Sequence, residues 1–155
     1  MKGCLLKTDA SLAATIARLT VAIVFIPHGL QMTLGFFGGY GFSATMEVFT
    51  TQLGIPTVVA FLVIMAESVG AFALALGLMT RFCALSLIIV MLGAIFMNHL
   101  PNGFFMNWFN NPELKEGYEY HLLVIGLCLS LVVSGGGCCS VDRMLDGGKA
   151  GCCGK

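Results

Sequence analysis

A single acidic residue, Glu67, stands near the middle of an apolar run, residues 56–79, that is long enough to cross a bilayer. A carboxylate at that depth costs on the order of a few kcal/mol unless it is protonated, paired or turned towards water inside the protein. The rest of the chain must therefore supply a partner or a polar cavity. Residues that share the Glu67 face at helical spacing, Ala60, Gly70, Ala71 and Leu74, are mostly small and let a neighbouring helix approach closely. The pattern predicts a helical bundle built around a polar centre, with Glu67 aimed at protein and not at lipid.

The composition agrees: of 155 residues, 57% are hydrophobic and 10% charged, which is the balance of a polytopic membrane protein. Net charge is zero and no basic stripe occurs, which excludes nucleic acid as a partner class. Apolar runs fall at Leu12–Leu34, 56–79, 83–100 and 120–133, the last approaching crossing length only if it extends over Glu119–Ser134. The first run is too long for a signal-peptide core and carries Arg18, so it reads as a retained helix. Between the first two runs, glycines at 35, 38, 39 and 41 mark a turn, and the segment 43–53 places Val48, Phe49 and Leu53 as a short amphipathic helix does. The expected fold class is thus all-α: a four-helix transmembrane bundle over residues 1–137 with that short amphipathic helix between helices 1 and 2, followed by a Cys-rich tail over 138–155.

Lys2, Lys7, Arg81, Arg143, Lys149 and Lys155 fall on one side of such a bundle, and Lys115 alone on the other. This bias predicts a multi-pass protein with both termini in the cytoplasm and the loops 35–55 and 101–118 outside. At about 1.5 Å per residue, Arg18 lies roughly 24 Å, Glu67 roughly 15 Å and His28 roughly 9 Å from the outer surface. Either Arg18 or His28 is thus within axial reach of Glu67. An Arg18–Glu67 pair fixes charge, or simply fixes the packing of two helices; a His28–Glu67 pair can share a proton.

His99 ends the third run, and Glu119 and His121 open the fourth. Glu119 and His121 are about 200° apart on a helix, so one of them faces the interior. Glu119 shares its face with Gly126, and the small residue favours Glu119 as the interior group, with His121 at the rim or against a neighbour. The candidate catalytic residues are Glu67, His28, Arg18, His99 and Glu119. The candidate ligand pocket adds Asn102 and Trp108 of the connecting loop to Arg18, His28, Glu67 and His99. The aromatic residues of that loop suit either an interfacial anchor or the roof of an apolar pocket. Neither paired Glu-x-x-His nor His-Glu-x-x-His occurs, so the di-iron and zinc-protease patterns are absent. A quinone-type ligand needs only an apolar slot, one or two hydrogen-bonding groups and a proton route.

Cys138, Cys139, Cys152 and Cys153 form two vicinal pairs in the Gly-rich tail. Four thiols on a reducing side of the membrane suit a soft metal (zinc, copper or iron) or reversible thiol exchange, or are incidental to a flexible tail. Cys4 is a further candidate ligand, whereas Cys83 and Cys128 read as small packing residues.

Eight short pieces in order carry a family resemblance. They are Ala17, Arg18 and Leu19; His28 to Gln31; Phe37 to Gly41; Leu53 to Pro56; Ala66 and Glu67; Gly77 to Arg81; His99 to Gly103; and Gly117 to Tyr120. Over about residues 17–142 the chain resembles the DoxX family of small bacterial membrane proteins. The resemblance implies a four-helix integral protein of the bacterial plasma membrane. It departs at Met32, where many members carry Lys, and in the Cys-rich tail, which is not a family feature. The family takes its name from a subunit associated with a terminal quinol oxidase. Its relatives look like quinone-linked thiosulfate oxidoreductases or membrane partners of thiol and oxidative-stress enzymes. The implied function is redox-associated, as a quinone-linked oxidoreductase subunit binding a quinone or small sulfur compound in the outer half. The alternatives are a non-catalytic subunit of a larger membrane complex, or a transporter of a small solute or metal. Expected partners are the lipid bilayer and either a second copy or other subunits.

Overall fold

The computed structural model describes residues 8–147, and among them every regular element is helical. Helix α1 (Leu12–Leu34) starts at Ser11, whose hydroxyl accepts from the Ala14 N–H, and stops at Gly35 in the left-handed region at φ 73°. The expected short helix is present as α2 (Gly41–Glu47), continued by a wider π turn at Val48–Gln52. The second apolar run forms two consecutive pieces, α3 (Thr57–Glu67) and α4 (Val69–Leu76). The third run gives α5 (Thr80–Ala94), a π turn at Ile95–His99 and a 3-10 turn at Leu100–Asn102. Helix α6 (Glu119–Ser134) is the fourth member of the bundle, and a single short helix α7 (Val141–Leu145) comes after it.

Three spans, Leu12–Leu34, Thr57–Leu76 and Thr80–Asn102, are long and apolar enough to cross a membrane. Helix α6 has 16 residues, about 24 Å of axial rise, and lies against α5. Their shared core contains Val21 and Phe25 of α1, Leu74 of α4, Leu87 and Met91 of α5, and Val124 and Leu131 of α6. Large apolar side chains such as Ile23, Val58, Ile89, Leu123 and Val133 point outwards. An apolar exterior around an apolar core identifies a polytopic membrane bundle.

The break between α3 and α4 falls at Ser68 (φ −96°, ψ −78°), and two causes converge there. The Ser68 hydroxyl donates back to the Ile64 carbonyl, a bond that bends helices. From the other side, Gly29 brings α1 so close that a Cβ at this position would lie 2.5 Å from Ser68 Cα and 2.7 Å from the Glu67 carbonyl oxygen. Gly126, by contrast, has nothing within 4 Å of its would-be Cβ. Gly29→Ala is therefore expected to lower stability by about 1–3 kcal/mol through overpacking. Gly126→Ala should raise it by up to about 1 kcal/mol through helix propensity. Thermal unfolding of both variants in detergent, followed by circular dichroism, separates them by sign.

The end of the bundle that carries the termini is closed by buried polar groups. Arg18 (2% exposed) donates from Nη1 to the carbonyls of Leu74 (3.0 Å) and Ala75 (2.8 Å), and from Nη2 to that of Cys139 (3.4 Å). It thereby satisfies carbonyls at the C-terminus of α4, where the helix dipole favours a cation. Asp142 does the converse for α5, accepting from the N–H groups of Met79 (2.7 Å) and Thr80 (2.8 Å). Gly77, at φ 69°, sits in the turn between the two, where a side chain would meet Ser140 and the Arg18 guanidinium. The chain from Cys138 to Gly147 consequently folds against the bundle, with Ser140 and Asp142 buried, and is not a hanging tail over that stretch.

Candidate functional site

Glu67, the last residue of α3, is buried at 7% exposure, as its small-residue face predicts. It makes no side-chain hydrogen bond or ion pair with another described residue. Arg18 is not its partner: the guanidinium is held at Leu74 and Ala75, about two helical turns further along. The helix C-terminus wins because it offers several oxygens already lacking partners, at no cost in bending the chain. His28 is not its partner either; it is exposed on the outside of α1, its ring tilted against Phe25 at 6.2 Å.

Two further buried polar groups come from α6. Tyr120 is close enough to Glu67 and Cys128 to feel their charge, and its hydroxyl is buried with no hydrogen-bond partner among the described residues. His121 is buried at 7% exposure, and its Nδ1 likewise lacks a partner. Its ring lies 5.6 Å from that of Tyr120 and 4.2 Å from that of His99. The π turn at Ile95–His99 delivers His99 to this position: the wider turn takes up an extra residue, rotating the next side chains by about 100° relative to a regular helix. His99 Nδ1 lies 2.9 Å from the Glu116 carbonyl, which only accepts, so the bond places the proton on Nδ1 and leaves Nε2 as the basic nitrogen.

The assignment of Glu119 to the interior and His121 to the rim is reversed in the structure. Glu119 opens α6 and reaches back to the loop, accepting from the Met106 N–H (3.2 Å) and from Trp108 Nε1 (3.4 Å). A small residue at 126 suggests an interior face, but Gly126 is exposed. His121, Val124, Cys128 and Leu131 are the buried stripe. A helix that is apolar on every side gives no contrast from which to read this. Asn102 donates from Nδ2 to the carbonyls of Asn98 and Glu116, so it braces the loop beside His99. Trp108 stays 75% exposed, in the manner of an interfacial anchor and not of a pocket roof. Tyr120 is absent from the candidates read in the sequence, since a lone Tyr beside a helix start carries no pattern of its own.

Of the four tail cysteines, Cys138 and Cys139 are among the described residues. Cys138 is buried at 1% exposure beneath α1, where its carbonyl accepts from Thr15 Oγ1, whereas Cys139 is exposed. Cys152 and Cys153 lie outside the described residues, as does Cys4. Among the described residues no group of three or more His, Cys, Asp or Glu is placed to hold a metal.

Chemically, the site is a carboxyl group, a phenol and an imidazole in an apolar bundle, all short of partners. Buried polar groups are nearly always hydrogen-bonded, so the Tyr120 hydroxyl and the His121 Nδ1 call for partners other than the described residues. The DoxX family's sequence model matches residues 13–100, from the start of α1 to the 3-10 turn beside His99. The chain belongs to the DoxX family. No curated protein and no solved structure matches it. Within this DoxX protein the matched stretch contains Arg18, Gly29, Glu67 and His99, while Tyr120 and His121 lie beyond it.

Proposed function

We propose that this DoxX-family membrane protein is redox-associated and takes a quinone or a small sulfur compound at the cluster of Glu67, Tyr120 and His121. One observation carries the reading: in the same half of the bundle as the buried Glu67 carboxyl, the Tyr120 hydroxyl and the His121 Nδ1 are buried with no hydrogen-bond partner among the described residues. A quinone oxygen accepts hydrogen bonds from Tyr120 and from protonated Glu67, and its reduction consumes two protons with two electrons. These side chains handle the protons; a thiol, a sulfur compound or a partner protein supplies the electrons. Membership of the DoxX family supports a bacterial plasma-membrane location, and the Lys and Arg bias supports both termini being cytoplasmic, an orientation in which the cluster falls in the outer half.

Native mass spectrometry of the full chain, extracted in gentle detergent, tests this directly. A bound quinone or sulfur compound is expected, with at least tenfold weaker retention in Tyr120→Phe and Glu67→Gln. Protein that carries neither, and that supports no thiol- or thiosulfate-dependent quinone reduction, would overturn the proposal. The second reading, a non-catalytic subunit, draws on the exposed aromatic surface of Phe105, Trp108 and Phe109 at the loop end. It predicts a co-purifying partner chain in the same spectrum, lost in Trp108→Ser.

A further inference from the structure

We infer that His99 and His121 form the route by which protons pass between the aqueous phase at the loop end and Glu67. The inference rests on the Glu67 cluster being the functional centre, and it adds how that centre communicates with water.

Three observations meet at His99. Its side chain lines an open polar cavity of about 430 Å³ at the loop end, together with Asn98, Asn102, Asn111, Lys115 and Glu116. Its ring lies 4.2 Å from that of His121, tilted by 45°, and His121 is buried with an Nδ1 that has no partner among the described residues. Its tautomer is set by the Glu116 carbonyl, so its basic Nε2 is available to a proton from water. His121 in turn lies against Tyr120, whose ring is 5.6 Å away and which is within electrostatic range of Glu67. One half-buried imidazole thus belongs both to a wet cavity and to the dry cluster.

The ionisable groups around this path are Lys115, Glu116 and Glu119 on the loop side and Tyr120, Cys128 and Glu67 inside. Glu116 and Glu119 are engaged with backbone N–H groups of Asn107 and Met106. Neither stands between the two rings and Glu67. Each transfer conserves charge: a proton taken from water at His99 Nε2 makes an imidazolium, a proton passes to the His121 ring, and His121 passes one on towards Glu67 by way of the Tyr120 hydroxyl, which accepts one proton as it gives up another. Two imidazolium rings in contact repel, so the pair passes one proton at a time.

The test uses the full chain in lipid nanodiscs and needs no ligand. Infrared difference spectra between acid and alkaline buffer assign the Glu67 carboxyl band by its loss in Glu67→Gln, and a rapid change from H2O to D2O then times its exchange. Exchange is expected to slow at least tenfold in His99→Ala and in His121→Phe. Added imidazole, which the loop cavity can admit, should restore the rate in His99→Ala alone, a rescue that a purely structural role would not produce. Unchanged exchange in correctly folded variants, a slowed rate that imidazole leaves untouched, or no Glu67 band at any pH would each overturn the route. Because the readout is proton exchange, its failure is separate from failure to retain a quinone or sulfur compound.

Discussion

Arg18→Met is expected to lower the stability of this protein by about 3–5 kcal/mol, the usual cost of removing one member of a buried charged network. On the scale of a chain this size the melting temperature should fall by roughly 10 °C. The methionine keeps the apolar stem but leaves the carbonyls of Leu74, Ala75 and Cys139 without their donor, at the C-terminal end of α4. It also removes the cation that attracts buried Asp142, whose carboxylate still has to hold the start of α5. Arg18→Lys restores charge but not the fork that spans three carbonyls, so it should fall between wild type and Met. Circular dichroism melts of the three proteins in one detergent give the order. If Met proves as stable as Arg, the guanidinium is not what closes that end of the bundle.

Glu67→Met should move stability the other way, up by about 1–3 kcal/mol, because it removes a buried polar group that no neighbour satisfies. The same substitution is expected to abolish retention of the ligand. A gain in melting temperature joined to a loss of binding is the signature of a site kept for function at a cost in stability. A drop in stability would show instead that Glu67 takes part in an internal network, and the functional reading of the cluster would go with it.

The four helices are legible in the sequence because membrane crossing demands long apolar runs, and such runs survive any detail of packing. Even the extension of the last run to Glu119–Ser134 comes from the need for length. Glu67 is legible for the same reason, since a charge among apolar residues stands out. Partner choice is not. Axial depth places Arg18 within reach of Glu67, but depth says nothing about which side chain meets a helix end rich in unbonded carbonyls. The choice between Glu119 and His121 fails because Gly serves two purposes in membranes: at Gly29 it admits a neighbouring backbone, and at Gly126 it meets no protein at all. Distinguishing the two requires knowing which helices touch, which is a property of the assembled bundle.

Among the described residues, the hydrogen bonds joining α1 to α4 and to the chain after α6 all lie at the terminal end, at Thr8, Asp9, Ser11, Thr15 and Arg18. At the opposite end the bonds run instead between the loop and the ends of α5 and α6, at His99, Asn102 and Glu119, and α1 is left out of them. The base of α1 is thus pinned to its neighbours while its other half is held by packing, and its amides near Arg18 should outlast those near His28 in deuterium exchange.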